Sequence, residues 1–282
     1  MKIGNAPSSS IAVVCRRDGS SSTSAARRGD RLAADVPALE SRADGAAARF
    51  ASRFGSSHPA LVFGVALIVG FALLCALSIL LGLLVVHVLG TGSVLGGPDN
   101  DAIASLSKHR TSALDTLSSI GSAVGGAPVL PIIAGLVGIA FAALRRWLVA
   151  AFAVFVLTVE SATYRVTTLV VHRDRPHVPR LEDLPANASY PSGHTAASIA
   201  IYSGLVLLLT SRLTGSTTKA LLWTCAILAT TFVALSRMYR GMHHPLDVAG
   251  GIVVGIGAIL LLLFACRAAG AVANARAAGE RP

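Results

Sequence analysis

Residues 61–86 read LVFGVALIVGFALLCALSILLGLLVV, twenty-six positions without a charged side chain. About 20 apolar residues in a helix cross roughly 30 Å of hydrocarbon, so this stretch is long enough to span a bilayer. Five more stretches qualify, at about 128–145, 147–171, 194–212, 219–237 and 246–266. Between the first and second, residues 99–124 place Ile103, Leu106, Leu114, Leu117 and Ile120 at roughly helical spacing with charge between them. That pattern predicts an amphipathic helix lying at the membrane interface. The expected fold class is therefore all-α: a polytopic membrane protein of six transmembrane helices, with an extra interfacial helix between the first and second. Composition agrees. The 282 residues are 53% hydrophobic and 13% charged, with a mean hydropathy of +0.67. Soluble domains carry about 25% charged residues and disordered chains are poor in apolar ones, so both classes are excluded for the chain as a whole.

The charge that remains is unevenly placed. Residues 1–58 hold nine of the 24 basic residues, and the only apolar run there, Ile11 to Cys15, is too short to span anything. No apolar core of a secretory signal falls in that region. The sequence predicts a disordered basic cytoplasmic tail over 1–58, a six-span domain over 59–267 and a short cytoplasmic tail over 268–282. Six spans put both termini on one side, and that side collects sixteen Lys and Arg against seven on the other. The positive-inside rule makes the first side cytoplasmic. The net charge of +10 thus reads as topology-setting charge facing anionic lipid, because no nucleic-acid-binding motif or aromatic-interleaved basic face accompanies it. Arg outnumbers Lys 21 to 3, a composition that points to a GC-rich bacterial genome. Cys15, Cys75, Cys225 and Cys266 form no CxxC, which argues against a disulfide framework or a cysteine metal site.

Five of the seven outward basic residues fall in or beside the loops 172–193 and 237–247, against the general bias. Three segments meet water there: TLVVHRDRP (Thr168–Pro176), SYPSGHT (Ser189–Thr195) and SRMYRGMHHPLD (Ser236–Asp247). Pro245 suits the first turn of a helix, which places His243 just before the sixth span and Asp247 in its first turn. A carboxylate four residues after a histidine can accept from one ring nitrogen and leave the other as a basic lone pair. Asp247 equally suits an acid stabilising a helix N-terminus. Arg237 ends the fifth span with a planar guanidinium fit for phosphate oxygens. Ser192 and Gly193 open the fourth span as an anion-binding turn or as a simple N-cap, with His194 placed to donate a proton. Pro176 ends the third span at Arg175. Cationic donors, an in-line nucleophile and an acid for the leaving group are the parts of phosphoryl transfer.

Taken together, these segments resemble the signature of the type 2 phosphatidic acid phosphatase superfamily, which also contains the vanadium haloperoxidases. That signature is KxxxxxxRP, then PSGH, then SRxxxxxHxxxD. PSGH is intact at Pro191–His194, and the third element at Ser236, Arg237, His243 and Asp247. The resemblance covers roughly residues 60–266 and implies a metal-independent phosphatase without a cofactor. It implies that His243 attacks phosphorus to give a phosphohistidine, that Asp247 orients it and that His194 protonates the leaving group. Arg175, Arg237, Ser192 and Gly193 would hold the phosphate. One position departs, because Thr168 stands where the family has lysine, seven residues before Arg175. Thr168 keeps one hydrogen-bond donor but no charge, so the expectation is that Arg165 or Arg173 supplies the missing cation. A charge such as Arg165 within a span costs about 2.5–3.5 kcal/mol on insertion scales, which makes Glu160 in the same span its candidate partner.

The expected partners are a lipid phosphate or pyrophosphate substrate and the bilayer, with no nucleic acid. Polyprenyl pyrophosphates, phosphatidic acid, phosphatidylglycerol phosphate and glycosylated prenyl phosphates all fit by resemblance. A non-catalytic lipid-phosphate binder or transporter of the same fold is the alternative from another class. His172, His177, His194 and His244 lack zinc-motif spacing, and no metal is assigned. Gly251 and Gly255 form a GxxxG pattern, read as close helix packing inside one chain.

Overall fold

The computed structural model describes residues 36–55, 57–90 and 95–279. Nine helices are the useful units: α1 (Ala46–Ala51), α2 (Pro59–Leu84), α3 (Gly96–Lys108), α4 (Ser112–Val124), α5 (Val129–Ala143), α6 (Trp147–Val170), α7 (Gly193–Thr210), α8 (Ser216–Tyr239) and α9 (Pro245–Ala278). Short π-helical turns continue α2 over Val85–Leu89 and interrupt α7 at Ile199–Ser203. Among the described residues there is no strand, only an isolated bridge between Arg173 and Ala188. Six segments are long and apolar enough to cross a membrane: Pro59–Leu89, Ser112–Ala143, Trp147–Val170, Gly193–Thr210, Ser216–Tyr239 and Pro245–Ala278. The molecule is a six-span helical membrane protein.

Local chemistry explains where the spans start. Pro59 and Pro245 each occupy the first turn of their helix, where a missing N–H costs nothing. His58 caps α2 by accepting from Ala60 N–H at 3.2 Å. At the other end of the chain, Gly279 closes α9 with φ 73°, the left-handed cap that glycine adopts without strain.

The expected interfacial helix over 99–124 divides into α3 and α4 at His109–Thr111. α4 then leads through Gly125-Gly126-Ala127-Pro128 into α5, and the two together form the second span. Alone, the 15 residues of α5 rise only about 22 Å, short of the hydrocarbon thickness. The break follows from two glycines and a proline in sequence, the residues least compatible with an unbroken helix. Two boundary expectations also shift. Within the tail expected to be disordered over 1–58, residues 36–54 contain a 3-10 turn (Pro37–Leu39) and α1, whose Ala47 and Ala51 pack with Val62, Ala268 and Val272. The tail expected over 268–282 is helical through Ala278, because Ala268 and Val272 bury against that same cluster. The remainder of both tails, 1–35 and 280–282, lies outside the described residues.

α9 is the central helix, in contact with α1, α2, α6 and α7. The main core joins Phe152 and Val156 of α6, Ile199, Ile201 and Leu208 of α7, and Ala258, Ile259 and Leu262 of α9. Large apolar side chains such as Ile68, Leu80, Ile139, Leu228 and Leu260 face outward and exposed, as a lipid-facing surface requires. Gly251 and Gly255 let α9 approach α7. A Cβ would come within 2.5 Å of the Ser192 carbonyl oxygen at Gly251 and within 2.6 Å of that of Ala196 at Gly255. The GxxxG stripe is thus spent on packing inside the chain, and it brings the start of α7 alongside the start of α9.

Candidate active site

That approach assembles the three motif segments at one end of the bundle. The 171–192 loop is pinned across the α7 and α9 starts by Arg175 N–H to Ala186 O (2.8 Å), Ser189 N–H to Arg173 O (3.0 Å) and Ser192 N–H to Asp247 O (2.9 Å). Beneath it lies a cavity of about 300 Å³ whose lining includes Arg175, Gly193, His194, Arg237 and His243. Residues up to 68 positions apart in the chain therefore meet around one space. A second hollow, about 680 Å³, lies on the loop side among Asp174–Arg180 and Ala186. Arg175 lines both.

His243 is almost wholly buried. Its Nδ1 lies 2.7 Å from the carbonyl oxygen of Ser189, an atom that only accepts, so Nδ1 carries the proton and Nε2 keeps its lone pair. Burial, the largest cause, and then the neighbouring Arg237 charge hold this imidazole well below the usual histidine range, although Asp247 pulls the other way. The side chain is neutral at pH 7, which is the state a nucleophile needs.

Asp247 departs from its expected contact. Its carboxylate is 3.9 Å from His243 Nδ1, beyond hydrogen-bond reach. Oδ2 accepts instead from Ser189 Oγ (2.6 Å) and from the His244 backbone N–H (2.8 Å), while Oδ1 pairs with Arg173. Both sequence readings of Asp247 have a structural counterpart. It closes a capping box at the α9 start, and it reaches His243 through Ser189, whose hydroxyl it holds and whose carbonyl orients the ring.

Arg237 is fully buried. Nη1 donates to Ser122 Oγ and to Glu182 Oε2 (2.6 Å), while Nε and Nη2 have no partner. A buried guanidinium with open donors is costly to leave as it stands, and these donors sit on a residue that lines the cavity. Glu182 also accepts from Ser122 Oγ (2.8 Å) and Arg240 Nε (2.7 Å). Although burial pushes the Glu182 carboxyl up, Arg237 charge and hydrogen bonds outweigh it and bring it down to about 2. Arg175 spends Nε on Pro185 O, Nη1 on Met242 O and Nη2 on Ala188 O, so it fastens the loop while facing the cavity.

Four expected phosphate contacts fall elsewhere. Ser192 Oγ is 2.9 Å from Thr195 Oγ1, turned back into the α7 start, and only Gly193 of that pair lines the cavity. Thr168 donates to Arg165 O (2.9 Å), a local helical bond. Arg165 is exposed and outside the cavity lining, while Glu160 accepts from Ser161 on Oε2 and has no partner on Oε1. Arg173 is held between Asp99 and Asp247. Removing one member of such a buried pairing costs about 3–5 kcal/mol, so Arg173 is a clamp on Asp247 and not the missing cation. Among the described residues that line the cavity, the Lys and Arg side chains are Arg175 and Arg237. His244, drawn with other histidines as a conceivable metal group, is held by Asp247 and Asn100.

Sequence reasoning missed Glu182, Ser122, Ser189, Tyr164 and the Gly125-Gly126 turn as parts of this site. One signal was present: a loop with clustered Arg that also contains Glu182 and Asp183 supplies its own counter-charge. Gly126 carried no signal. A Cβ there would meet His194 Nε2 at 2.8 Å and Ser122 O at 3.1 Å, so it is glycine because the imidazole lies against it.

A six-span helical protein with an anion-seeking cavity at one rim is what the fold and site define. Residues 147–269 match the family model described as the PAP2 superfamily. That match covers under half of the chain and includes both the PSGH and the SRxxxxxHxxxD segments. The chain is 40% identical over 75 residues to an undecaprenyl-diphosphatase of Sulfolobus acidocaldarius, covering 27% of this chain and 32% of that protein. It is 34% identical over 124 residues to the decaprenylphosphoryl-5-phosphoribose phosphatase of Mycobacterium tuberculosis, covering 41% and 60%. The chain thus matches less than two thirds of the length of either relative. In fold it is similar to a transmembrane PAP2-type phosphatidylglycerolphosphate phosphatase from Bacillus subtilis, with a TM-score of 0.56 and 21% identity over 70% of this chain and 92% of that one.

Proposed function

We propose that this protein is an integral membrane lipid phosphatase that cleaves a phosphate monoester or pyrophosphate from a lipid through a phosphohistidine, without a metal. The observation that carries the reading is the pair of buried, unpartnered Arg237 donors in a cavity shared with His194 and His243. A tetrahedral phosphate seated there satisfies those donors and the Gly193 turn. His243 Nε2 attacks phosphorus as the bond to the leaving oxygen breaks, and His194 gives that oxygen a proton. Water then hydrolyses the N–P bond and returns His243 to its neutral form. The imidazolium-like charge on His243 during attack is stabilised by Asp247 at 3.9 Å and by the Ser189 carbonyl. From the Lys and Arg counts we read this rim as extracytoplasmic, so that the phosphate is handled in water while the tail stays in the bilayer. The names of the relatives support a lipid phosphate or pyrophosphate as substrate.

The test is release of inorganic phosphate from lipid phosphates by the purified protein in detergent with excess chelator. Release that vanishes in His243→Ala and is blocked by vanadate is expected. Loss of activity on chelation overturns the metal-free mechanism, and no release from any lipid overturns the enzyme assignment. A second reading has its own observation: with Thr168 uncharged and Arg173 engaged elsewhere, the cavity has fewer cations than the family pattern. A non-catalytic lipid-phosphate binder would bind these lipids with wild-type affinity in His243→Ala and turn over none.

A further inference from the structure

Glu160 is the buried carboxyl group that the phosphatase reading leaves unused. It lies on α6 with 1% of its surface exposed and lines the same cavity as His194 and Arg237. Oε2 accepts from Ser161 Oγ at 3.0 Å, and Oε1 has no partner. Buried polar atoms almost always have one, so an unpartnered carboxyl oxygen on a cavity wall marks a place where a hydrogen-bonding group is expected to dock.

Its depth relative to the phosphate end follows from helix geometry. A Cβ on Gly193 would lie 3.2 Å from the Tyr164 ring, which puts Tyr164 beside the α7 start. Glu160 is four residues further from the rim on α6, a displacement of about 6 Å. Leu157 follows another three residues down, with Leu130 and Pro131 of α5 on the same cavity wall. Read from the rim inward, the lining offers arginines and imidazoles, then a carboxyl, then apolar side chains. A matching ligand has a phosphate, then a hydroxyl-bearing unit, then a hydrocarbon tail. Phosphatidic acid and prenyl diphosphates carry no hydroxyl at that depth.

We infer that Glu160 is a specificity-determining residue whose free oxygen hydrogen-bonds a hydroxyl of the substrate, favouring lipids whose scissile phosphate is carried on a glycerol or sugar unit over lipid phosphates that lack such a hydroxyl. This rests on the phosphatase reading of the same cavity. It adds the chemical class of the group joining phosphate to tail.

The experiment uses the purified full chain with three lipids. Phosphatidylglycerol phosphate carries its terminal phosphate on a glycerol with a free hydroxyl, phosphatidic acid has no such hydroxyl, and farnesyl diphosphate has a second phosphate instead. Wild-type kcat/KM is expected to be highest for phosphatidylglycerol phosphate. Glu160→Ala lowers it about fivefold to tenfold, the upper range for losing one hydrogen bond between neutral groups, and does so mainly through KM. Phosphatidic acid hydrolysis by the same preparation stays within about twofold, which also reports that the variant is folded. Glu160→Gln keeps the shape and a hydrogen-bonding group, so its loss is smaller, and farnesyl diphosphate hydrolysis stays within about twofold in both variants. Parallel loss on all three lipids in both variants, or a wild-type preference for farnesyl diphosphate, overturns the inference and leaves the phosphatase reading intact. No release from any lipid overturns both.

Discussion

Replacing Gly126 with alanine should separate catalysis from folding at this site. The new Cβ would stand 2.8 Å from His194 Nε2 and 3.1 Å from Ser122 O. Comfortable contact for such atoms begins near 3.5 Å, so the imidazole must retreat by about 0.7 Å, away from the leaving oxygen it is meant to protonate. Misplacement of about 1 Å at a reacting group costs on the order of 100-fold, and general acid catalysis as a whole contributes about 10² to 10⁴. Gly126→Ala should therefore lower kcat by roughly 10- to 100-fold. Stability should change little. Gly126 is not among the glycines with positive φ, and a compatible Gly→Ala replacement gains about 0.4–1 kcal/mol from the unfolded chain, which offsets a small side-chain shift. Gly135→Ala on α5 is the control, because a Cβ there meets nothing within 4 Å. The assay is phosphate release alongside thermal unfolding in detergent. Wild-type turnover in folded Gly126→Ala would refute the placement of His194 against this turn, and with it the role given to that imidazole.

Two further outcomes follow from the charged side chains. Glu182 is depressed from an ordinary 4.5 to about 2, so its contribution to stability is fully present above pH 4.5 and is lost as pH falls toward 2. Glu182→Gln should be less stable than wild type at pH 7 and still less stable at pH 4, measured by thermal unfolding; convergence of the two proteins by pH 5 would contradict the Arg237–Glu182–Arg240 arrangement. Arg165→Ala should leave phosphate release within about twofold, since the exposed side chain lies outside the cavity lining and surface changes remote from a site are usually small. A large loss would restore Arg165 as the stand-in for the family lysine.

Much of the architecture was legible before any coordinates. Six apolar stretches, Pro245 at a helix start, and the order of the PSGH and SRxxxxxHxxxD segments are local features of the chain. The division of 99–124 into two helices was less legible, because the apolar spacing of Ile103 through Ile120 runs straight across the break at His109–Thr111. The partners of the charged groups were not legible at all. Arg173 meets Asp99 and Asp247, each 74 positions away, and Arg237 meets Ser122 at 115 and Glu182 at 55. A motif names which side chains arrive at the rim without saying which acceptors wait there.

The sequence by itself determined the solvent of this protein and the inventory of its site, because hydrocarbon thickness dictates helix length and phosphate chemistry dictates residue type. Only the tertiary structure decided the division of labour among the arginines: Arg173 clamps Asp247, Arg175 fastens the loop by three carbonyls, and Arg237 alone among them keeps a buried Nε and Nη2 unpartnered. The reason is physical. A guanidinium away from water binds whichever acceptors the packed helices and loops bring within about 3 Å, and that distance is set by the approach of α7 to α9 and by the fold of the 171–192 loop over them.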